Sequence, residues 1–317
     1  FLLCLTSFAV ALAVGGGPKG TTIELAIYQA FRLDFDLGKA ASLAVVQFFL
    51  CGCVAVVSFL VPLPQTDGLG LDRLPQRLDA SAHREIDTFW IITSAAFLIF
   101  PLSAIFFRGI GYISNLPHQV IAASLTSVFI ALISTFVCIT MALSLALAFA
   151  HTGKRIRNLA EGIGVLSLAT SPLVVGTGLF LIIFPFAHPM IFAVPITVCV
   201  NAVIALPFAL RVLMPAIRDT YTDYLHLRYS LNMTRWVWLS WIVLPRLRRP
   251  LGFAAGLAVA LSMGDLGVIA LFADPELQTL PLMLYRLMGT YQMDQAAAVA
   301  TVPVSYTHLT LPTISSV

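Results

Sequence analysis

The sequence predicts an all-α protein that crosses the membrane several times. Charged residues make up 10% of the 317 and hydrophobic residues 59%, whereas a soluble globular domain carries about 25% charged residues. The hydrophobic residues lie in uncharged runs that are long enough to cross ~30 Å of hydrocarbon as helices. Basic residues concentrate in alternate loops between these runs. Lipid is therefore predicted to cover most of the surface, and we expect no nucleic-acid partner.

Six runs are long enough to span a membrane, and a partial run precedes them. Between Gly162 and Leu210 there is no Asp, Glu, Lys or Arg. The Phe-Pro-Phe-Ala-His-Pro-Met stretch at 184–190 supplies the turn that divides this segment into two helices. In chain order the partial run and the six spans are 1–14, 40–61, 88–107, 120–150, 162–185, 189–210 and 250–273.

The basic residues predict how the chain is oriented. Loops 62–87, 151–161 and 211–249 hold three, three and seven of the 18 Lys and Arg residues. Because cytoplasmic loops are enriched in Lys and Arg, these three loops are predicted to face the cytoplasm. The other loops then face outward.

The Gly-rich stretch GGGPKGTT (15–22) is not a nucleotide-binding loop. A P-loop places Lys and then Ser or Thr directly after its second glycine, whereas Lys19 precedes Gly20 here. A helix starting after this stretch would present Glu24 to a phosphate, and its charge has the wrong sign. The stretch also lies on the predicted outer side, where there is no ATP. We expect a flexible outer loop.

Two similar strings indicate an internal repeat. TIELAIY (22–28) and TLPLMLY (279–285) share the pattern Thr, Ile or Leu, any, Leu, any, Ile or Leu, Tyr. The alternative is chance likeness of short apolar strings, but each copy follows a span and a polar loop and precedes an alanine-rich span. Six spans separate the copies, and an even number makes the repeat parallel. The predicted organisation is the tail of a first half (1–61), a cytoplasmic linker (62–87) and a second half (88–303).

The cytoplasmic loop 211–249 is long for a connection between spans, and long ordered loops are usually functional. Three tryptophans lie among arginines in it, at 236, 238 and 241. Such a pattern suits a helix that lies at the membrane interface or one that docks into a cleft of another protein. We expect a rigid docking helix within 219–245, ended by Pro245.

The end of this loop resembles the coupling loop of ABC importer permeases. That motif reads EAA, three residues, Gly, nine residues, then Ile-x-Leu-Pro, and Ile242, Leu244 and Pro245 match its end. Asn232 stands in the glycine's place, and His226-Leu227-Arg228 in the place of EAA. Asn tolerates the left-handed conformation, so the turn is expected to persist. The resemblance implies an ATPase-coupling role for Leu231, Asn232, Trp236, Ile242, Leu244 and Pro245.

A narrower resemblance covers residues 1–300. GGGPKGTTIELAIYQA (15–30), GDLGVIALF (264–272) and TLPLMLYRLMG (279–289) are similar to the fused two-half permeases of bacterial thiamine ABC transporters. This implies a type I-like importer permease in the inner membrane, moving thiamine and its phosphates from a periplasmic binding protein to the cytoplasm. ATP hydrolysis is implied in a separate cytoplasmic ATPase subunit, so the chain itself is expected to be no enzyme.

The resemblance also implies that most of the first half is missing here. It stops after Ala300, and residues 304–317 resemble translated sequencing-adapter read-through. We expect a non-native tail without a span at 304–317.

Asp265 is an acid inside a hydrophobic run, where a charge is costly and by default functional. It could line the pathway and attract a cationic thiazolium, or it could cap a neighbouring helix or bond to Ser262 and Asn201. Asn201 is expected to hydrogen-bond between helices. Glu24, Tyr28 and Tyr285 are expected on the outer side, at the membrane interface or against the binding protein or substrate. The histidines show no metal-ligand spacing, so no metal, cofactor or catalytic group is predicted.

Three alternatives stay open at this point. The same scaffold could carry iron, a polyamine or an oxyanion. An ion-coupled secondary transporter could use Asp265 as its proton carrier, although it would need no docking loop. The third alternative is a membrane scaffold protein without transport activity. The predicted span 162–185 argues against it, because Pro172, Gly176 and Gly178 within the span are typical of a mobile or pathway-lining helix.

Overall fold

The computed structural model describes residues 8–14, 21–60, 84–112, 118–149, 170–186, 189–272 and 278–310. All the regular elements in these ranges are helical, which confirms the predicted all-α class. A 3₁₀ turn (Pro189–Phe192) precedes α7, and a π-helical segment (Leu239–Val243) joins α8 to α9. The α-helices are α1 Phe8–Val14, α2 Ile23–Arg32, α3 Leu37–Leu60, α4 Arg84–Ile110, α5 His118–Phe149, α6 Pro172–Ile183, α7 Ala193–Ser230, α8 Arg235–Trp238, α9 Leu244–Met263, α10 Gly267–Phe272, α11 Leu280–Gly289 and α12 Met293–Thr310.

Five helical segments within the described ranges are long and apolar enough to cross a membrane. They contain the predicted spans 40–61, 88–107, 120–150, 189–210 and 250–273 to within a few residues at each end. The predicted span 162–185 is represented by the shorter apolar helix α6, and 150–169 lie outside the described residues. The chain is therefore a multi-pass membrane protein. The five segments are Leu37–Val57, Glu85–Gly109, Gln119–Phe149, Ala193–Ser230 and Arg235–Phe272.

Helices α5, α7 and α9 pack against one another and form the centre of the molecule. Small side chains line their contacts, and because they are small they let the helix backbones approach closely. The buried small residues are Cys138, Ala142 and Ala146 of α5, Ala202, Ala205 and Ala209 of α7, and Ala254 and Ala258 of α9.

A second core joins α2, α3, α6 and α10. Phe31 of α2 and Phe272 of α10 both contact Phe180 of α6, with ring centroids 4.6 and 5.5 Å away. Elsewhere α4 packs closely on α12 at Gly109. A Cβ atom added there would lie 2.5 Å from Thr301 Cγ2, so only glycine fits this crossing.

The local structure repeats as the sequence pattern predicted. Thr22 and Thr279 each precede a ten-residue helix, α2 or α11. Each helix is followed by a residue in the left-handed region, Phe35 (φ 54°) or Tyr291 (φ 61°). The next helix begins two residues later, at α3 or α12, and packs against the short one.

The structure corrects two expectations. Pro245 does not end a helix but lies in the first turn of α9, which continues directly from the π segment. Pro172 likewise begins α6, after the N-cap Ser171, instead of interrupting a helix. Helix α12 continues to Thr310, because propagating a helix from its alanine-rich start adds one hydrogen bond per residue. Residues 304–310 are thus helical but belong to none of the five apolar segments long enough to cross a membrane, while 311–317 and the Gly-rich loop 15–20 lie outside the described residues.

Candidate functional site

The predicted cytoplasmic segment 211–249 is a helical hairpin built from the ends of two long helices. Helix α7 has 38 residues, which gives a length of about 57 Å at 1.5 Å per residue. That is nearly twice the ~30 Å hydrocarbon core, so the far end of α7 projects beyond it. The chain then reverses at residues 231–234 and returns through α8, the π segment and the start of α9. We call this segment the hairpin.

Asn232 makes the reversal possible. Its φ of 47° is in the left-handed region, which Asn adopts at less cost than most residues, as its place in the motif predicted. The Met233 amide donates to the Arg228 carbonyl at 3.0 Å, and the Asn232 amide donates to the Tyr229 carbonyl at 3.2 Å. These bonds satisfy carbonyl groups that the end of α7 would leave open. The turn divides the segment 219–245, in which the docking helix was expected, into two helical arms.

The three tryptophans of the hairpin have different surroundings. Trp236 and Trp241 are 80% and 78% exposed, whereas Trp238 is 1% exposed. Trp238 packs edge-on against Tyr221 of α7, with ring centroids 5.7 Å apart, and the Arg228 guanidinium lies 5.8 Å from its ring. Trp238 therefore holds the two arms together, and the other two tryptophans are available to a partner.

Most of the predicted coupling residues lie on the surface of the hairpin. Leu231, Asn232, Trp236, Leu244 and Pro245 are exposed, and Ile242 is partly buried. Between the arms lies an open groove of about 450 Å³. Arg246 stacks over the Tyr224 ring at 3.9 Å and forms part of its wall. The groove residues are Tyr224, Leu227, Trp241, Ile242, Pro245, Arg246 and Arg248.

A layer of polar side chains crosses the bundle where the last predicted span breaks. The span expected at 250–273 is interrupted by Gly264, Asp265 and Leu266, between α9 and α10. The Asn201 Nδ2 of α7 donates to the Ser262 Oγ of α9 at 2.9 Å, which is the expected bond between helices. The Asp265 Oδ1 instead accepts from the Gly267 amide at 3.0 Å. Asp265 thus caps α10, which is one of the alternatives considered for it, and among the described contacts its carboxylate makes no bond to Asn201 or Ser262.

In the orientation that the basic residues predict, the polar layer lies near the middle of the membrane. Asn201 is eight residues from the outer end of α7, or about 12 Å, and Ser127 is nine residues from the outer end of α5, or about 14 Å. A cavity of about 10 Å³ lies here, lined by Ser127, Thr197, Asn201, Ser262, Asp265 and Thr279 among others. It has room for about one water molecule, so the layer is closed in this conformation. Broken helices at mid-membrane are common where transporters bind their substrates.

Glu24 belongs to a second buried polar group, which sequence reasoning missed. Its side chain is 1% exposed, and this burial against other helices was not predicted. The Gln47 Nε2 of α3 donates to its Oε1 at 2.9 Å, and the Ser171 hydroxyl, at the start of α6, donates to the same oxygen. Burial raises the pKa of the Glu24 carboxyl, and the bonds from Ser171 and Gln47 partly oppose this. The available signal was Gln47, an isolated polar residue in the run 40–61.

Tyr28 and Tyr285 both pack against the apolar cluster that surrounds α2, α6 and α10. Both are partly buried, and the Tyr28 ring centroid lies 5.3 Å from that of Phe8 in α1. The structure thus brings the two copies of the repeat motif into one cluster. Tyr28 lies one turn after Glu24 on α2.

No protein-family model matches the chain. It is similar to proteins named thiamine transport system permease protein ThiP. The Escherichia coli K12 protein is 36% identical over 312 residues, which are 95% of this chain and 58% of the relative. The Haemophilus influenzae Rd and Brucella abortus 2308 proteins are 34% and 33% identical, over 95% of this chain and 57% of each relative. The chain therefore spans less than two thirds of the length of these relatives.

Proposed function

We propose that this chain, a relative of the thiamine transport permeases over 95% of its length, is the membrane permease of an ATP-driven importer. Its substrate would be thiamine and its phosphates, received from a periplasmic binding protein. A separate cytoplasmic subunit would hydrolyse ATP. The observation that carries the proposal is the similarity to these permeases, and it places the chain in the inner membrane as a multi-pass protein.

The hairpin supports the ATP-driven class. A permease does no nucleotide chemistry itself, so a cytoplasmic surface has to receive the movement of the ATPase. The exposed tip around Leu231 and Trp236, with the groove beside Trp241, offers apolar and aromatic side chains of the kind that anchor interfaces. The surrounding arginines suit an acidic rim on the partner.

The same two helices link the hairpin to the polar layer. Helix α7 carries Asn201 and continues into the first arm, and α9 carries Ser262 and begins in the second arm. A movement of the arms is therefore transmitted along both helices to the Asn201–Ser262 hydrogen bond. Packed helix pairs switch between discrete arrangements, so separation of these helices would open the closed cavity beneath the bond. The pathway would then run past Asp265.

No observation favours the alternatives. An ion-coupled transporter would need no docking surface, and Asp265 already has a structural task as the cap of α10. The named relatives are thiamine transport permeases, and their names give no support for iron, a polyamine or an oxyanion as the substrate.

A substitution at the tip of the hairpin tests the coupling. Leu231→Glu would bury a carboxylate in the ATPase interface without a partner, at a cost of several kcal/mol. The permease expressed from its complete gene is reconstituted with the ATPase and the binding protein. We expect stimulated ATP hydrolysis and uptake both to fall at least tenfold.

Leu33→Glu is the matched control, since Leu33 is also an exposed leucine in a turn but lies on the outer side. It should keep ATP hydrolysis and uptake within twofold of the unsubstituted transporter. If Leu231→Glu leaves hydrolysis fully stimulated in an intact complex, the hairpin does not couple the two subunits.

A further inference from the structure

Two carboxylates from different parts of the chain meet at the first turn of α6. Glu24 comes from α2, in the first half of the repeat, and accepts a hydrogen bond from Ser171, the N-cap of α6. Asp265 comes from the second half. A Cβ atom on Gly267, which Asp265 caps, would lie 3.4 Å from the Pro172 Cβ and 3.4 Å from the Asp265 Oδ1.

Three hydrogen-bond acceptors at these acids are left without partners. Within the described residues the Glu24 Oε2, the Gln47 Oε1 and the Asp265 Oδ2 are buried and accept no hydrogen bond. Glu24 and Gln47 are 1% and 3% exposed. No Lys or Arg of the described ranges pairs with either acid. A buried polar atom without a partner costs free energy, and three acceptors together favour a group that carries positive charge or N–H donors.

Tyrosine side chains lie on the same helix as Glu24 and in the apolar cluster that surrounds it. Tyr28 is four residues further along α2, and residues at this spacing share one face of a helix. Tyr285 of the second half packs into the same cluster. A carboxylate next to aromatic rings is suited to an aromatic cation, because the rings attract positive charge through their faces.

We propose that Glu24 and Asp265 together form an anionic element of the permeation path that selects substrates with a cationic aromatic ring over molecules of the same shape in which that ring is neutral. The inference rests on the proposed function, since it names the residues that would recognise the positive charge of the substrate in that pathway. Each half of the repeat supplies one acid, so the element is complete only when the halves are packed together. In the closed conformation it is sealed by α6, and the opening of the bundle exposes it to the substrate.

The test uses proteoliposomes that contain the permease from its complete gene, its ATPase and its binding protein. Two substrates are compared at concentrations that saturate the binding protein: thiamine, and its neutral isostere in which carbon replaces the cationic nitrogen. Glu24→Gln and Asp265→Asn remove charge and keep the shape, and Asn still accepts the Gly267 N–H. Each should lower thiamine uptake at least tenfold, with uptake of the isostere and stimulated ATP hydrolysis within twofold.

Glu24→Asp keeps the charge and should restore thiamine uptake to within about threefold. Asp34 is an exposed acid between α2 and α3. Asp34→Asn should leave the uptake of both substrates unchanged. An equal loss for thiamine and the isostere, or no loss for thiamine, overturns the inference. If Glu24→Gln does not assemble, Asp265→Asn decides the question alone. The proposed function fails separately, namely when the unsubstituted transporter shows no ATP-dependent thiamine uptake.

Discussion

Replacing Trp238 by alanine should loosen the hairpin, whereas the same change at Trp236 or Trp241 should not. Trp238 is 1% exposed and lies between the two arms. The hairpin projects beyond the hydrocarbon, so hydrophobic burial stabilises it as in a soluble domain. A buried tryptophan replaced by alanine costs about 3–5 kcal/mol, and the contact with Arg228 adds about 0.5–1 kcal/mol. At the two exposed positions the cost should stay within about 0.5 kcal/mol.

Native-state trypsin cleavage at the hairpin arginines measures this difference, because cleavage follows the population of the open form. Since about 1.4 kcal/mol corresponds to a factor of ten, Trp238→Ala should raise the cleavage rate of the purified permease by at least about 300-fold. Trp236→Ala and Trp241→Ala should raise it less than threefold. Equal rates for the three variants would show that Trp238 does not hold the arms together.

Three further predictions follow from local geometry. Asn232→Val should speed trypsin cleavage of the hairpin about tenfold, because the left-handed conformation costs a residue other than Gly or Asn about 1–2 kcal/mol. Asn232→Gly should leave the cleavage rate unchanged. Equal rates for the two variants would contradict the left-handed turn at this position. Gly109→Val should lower the melting temperature of the permease in detergent by several degrees, because the added side chain overpacks the contact between α4 and α12. Gly52 has open space around it, so Gly52→Val should leave the melting temperature unchanged. An equal fall for both variants would refute the α4–α12 contact. In intact cells an impermeant maleimide should react with the cysteine of Arg286→Cys and not with that of Arg84→Cys. The reverse labelling pattern would show that the chain has the opposite orientation.

The features that the sequence predicted depend on local chemistry. Hydrophobic spans are visible because each helix must satisfy its own backbone in lipid. The left-handed turn at Asn232 could be located because a motif places glycine there, and few residues accept that conformation. The Asn201–Ser262 bond was also foreseeable, since an amide in an uncharged span needs a partner on another helix.

The features that the sequence missed depend on packing between distant segments. Glu24 is buried because α3 and α6 close over it, and Ser171 is 147 residues away along the chain. Trp238 differs from Trp236 only through its position against α7. The break before α10 left no hydrophobic signal, because Gly264, Asp265 and Leu266 lie inside an apolar run.

ATP-dependent uptake of labelled thiamine into proteoliposomes tests the central claim most directly. The permease from its complete gene is reconstituted with its ATPase, and the loaded binding protein is supplied on the opposite face. We predict accumulation that requires both ATP and the binding protein and that persists when proton and sodium gradients are collapsed. Accumulation without ATP, or uptake abolished by collapsing an ion gradient, would contradict the assignment.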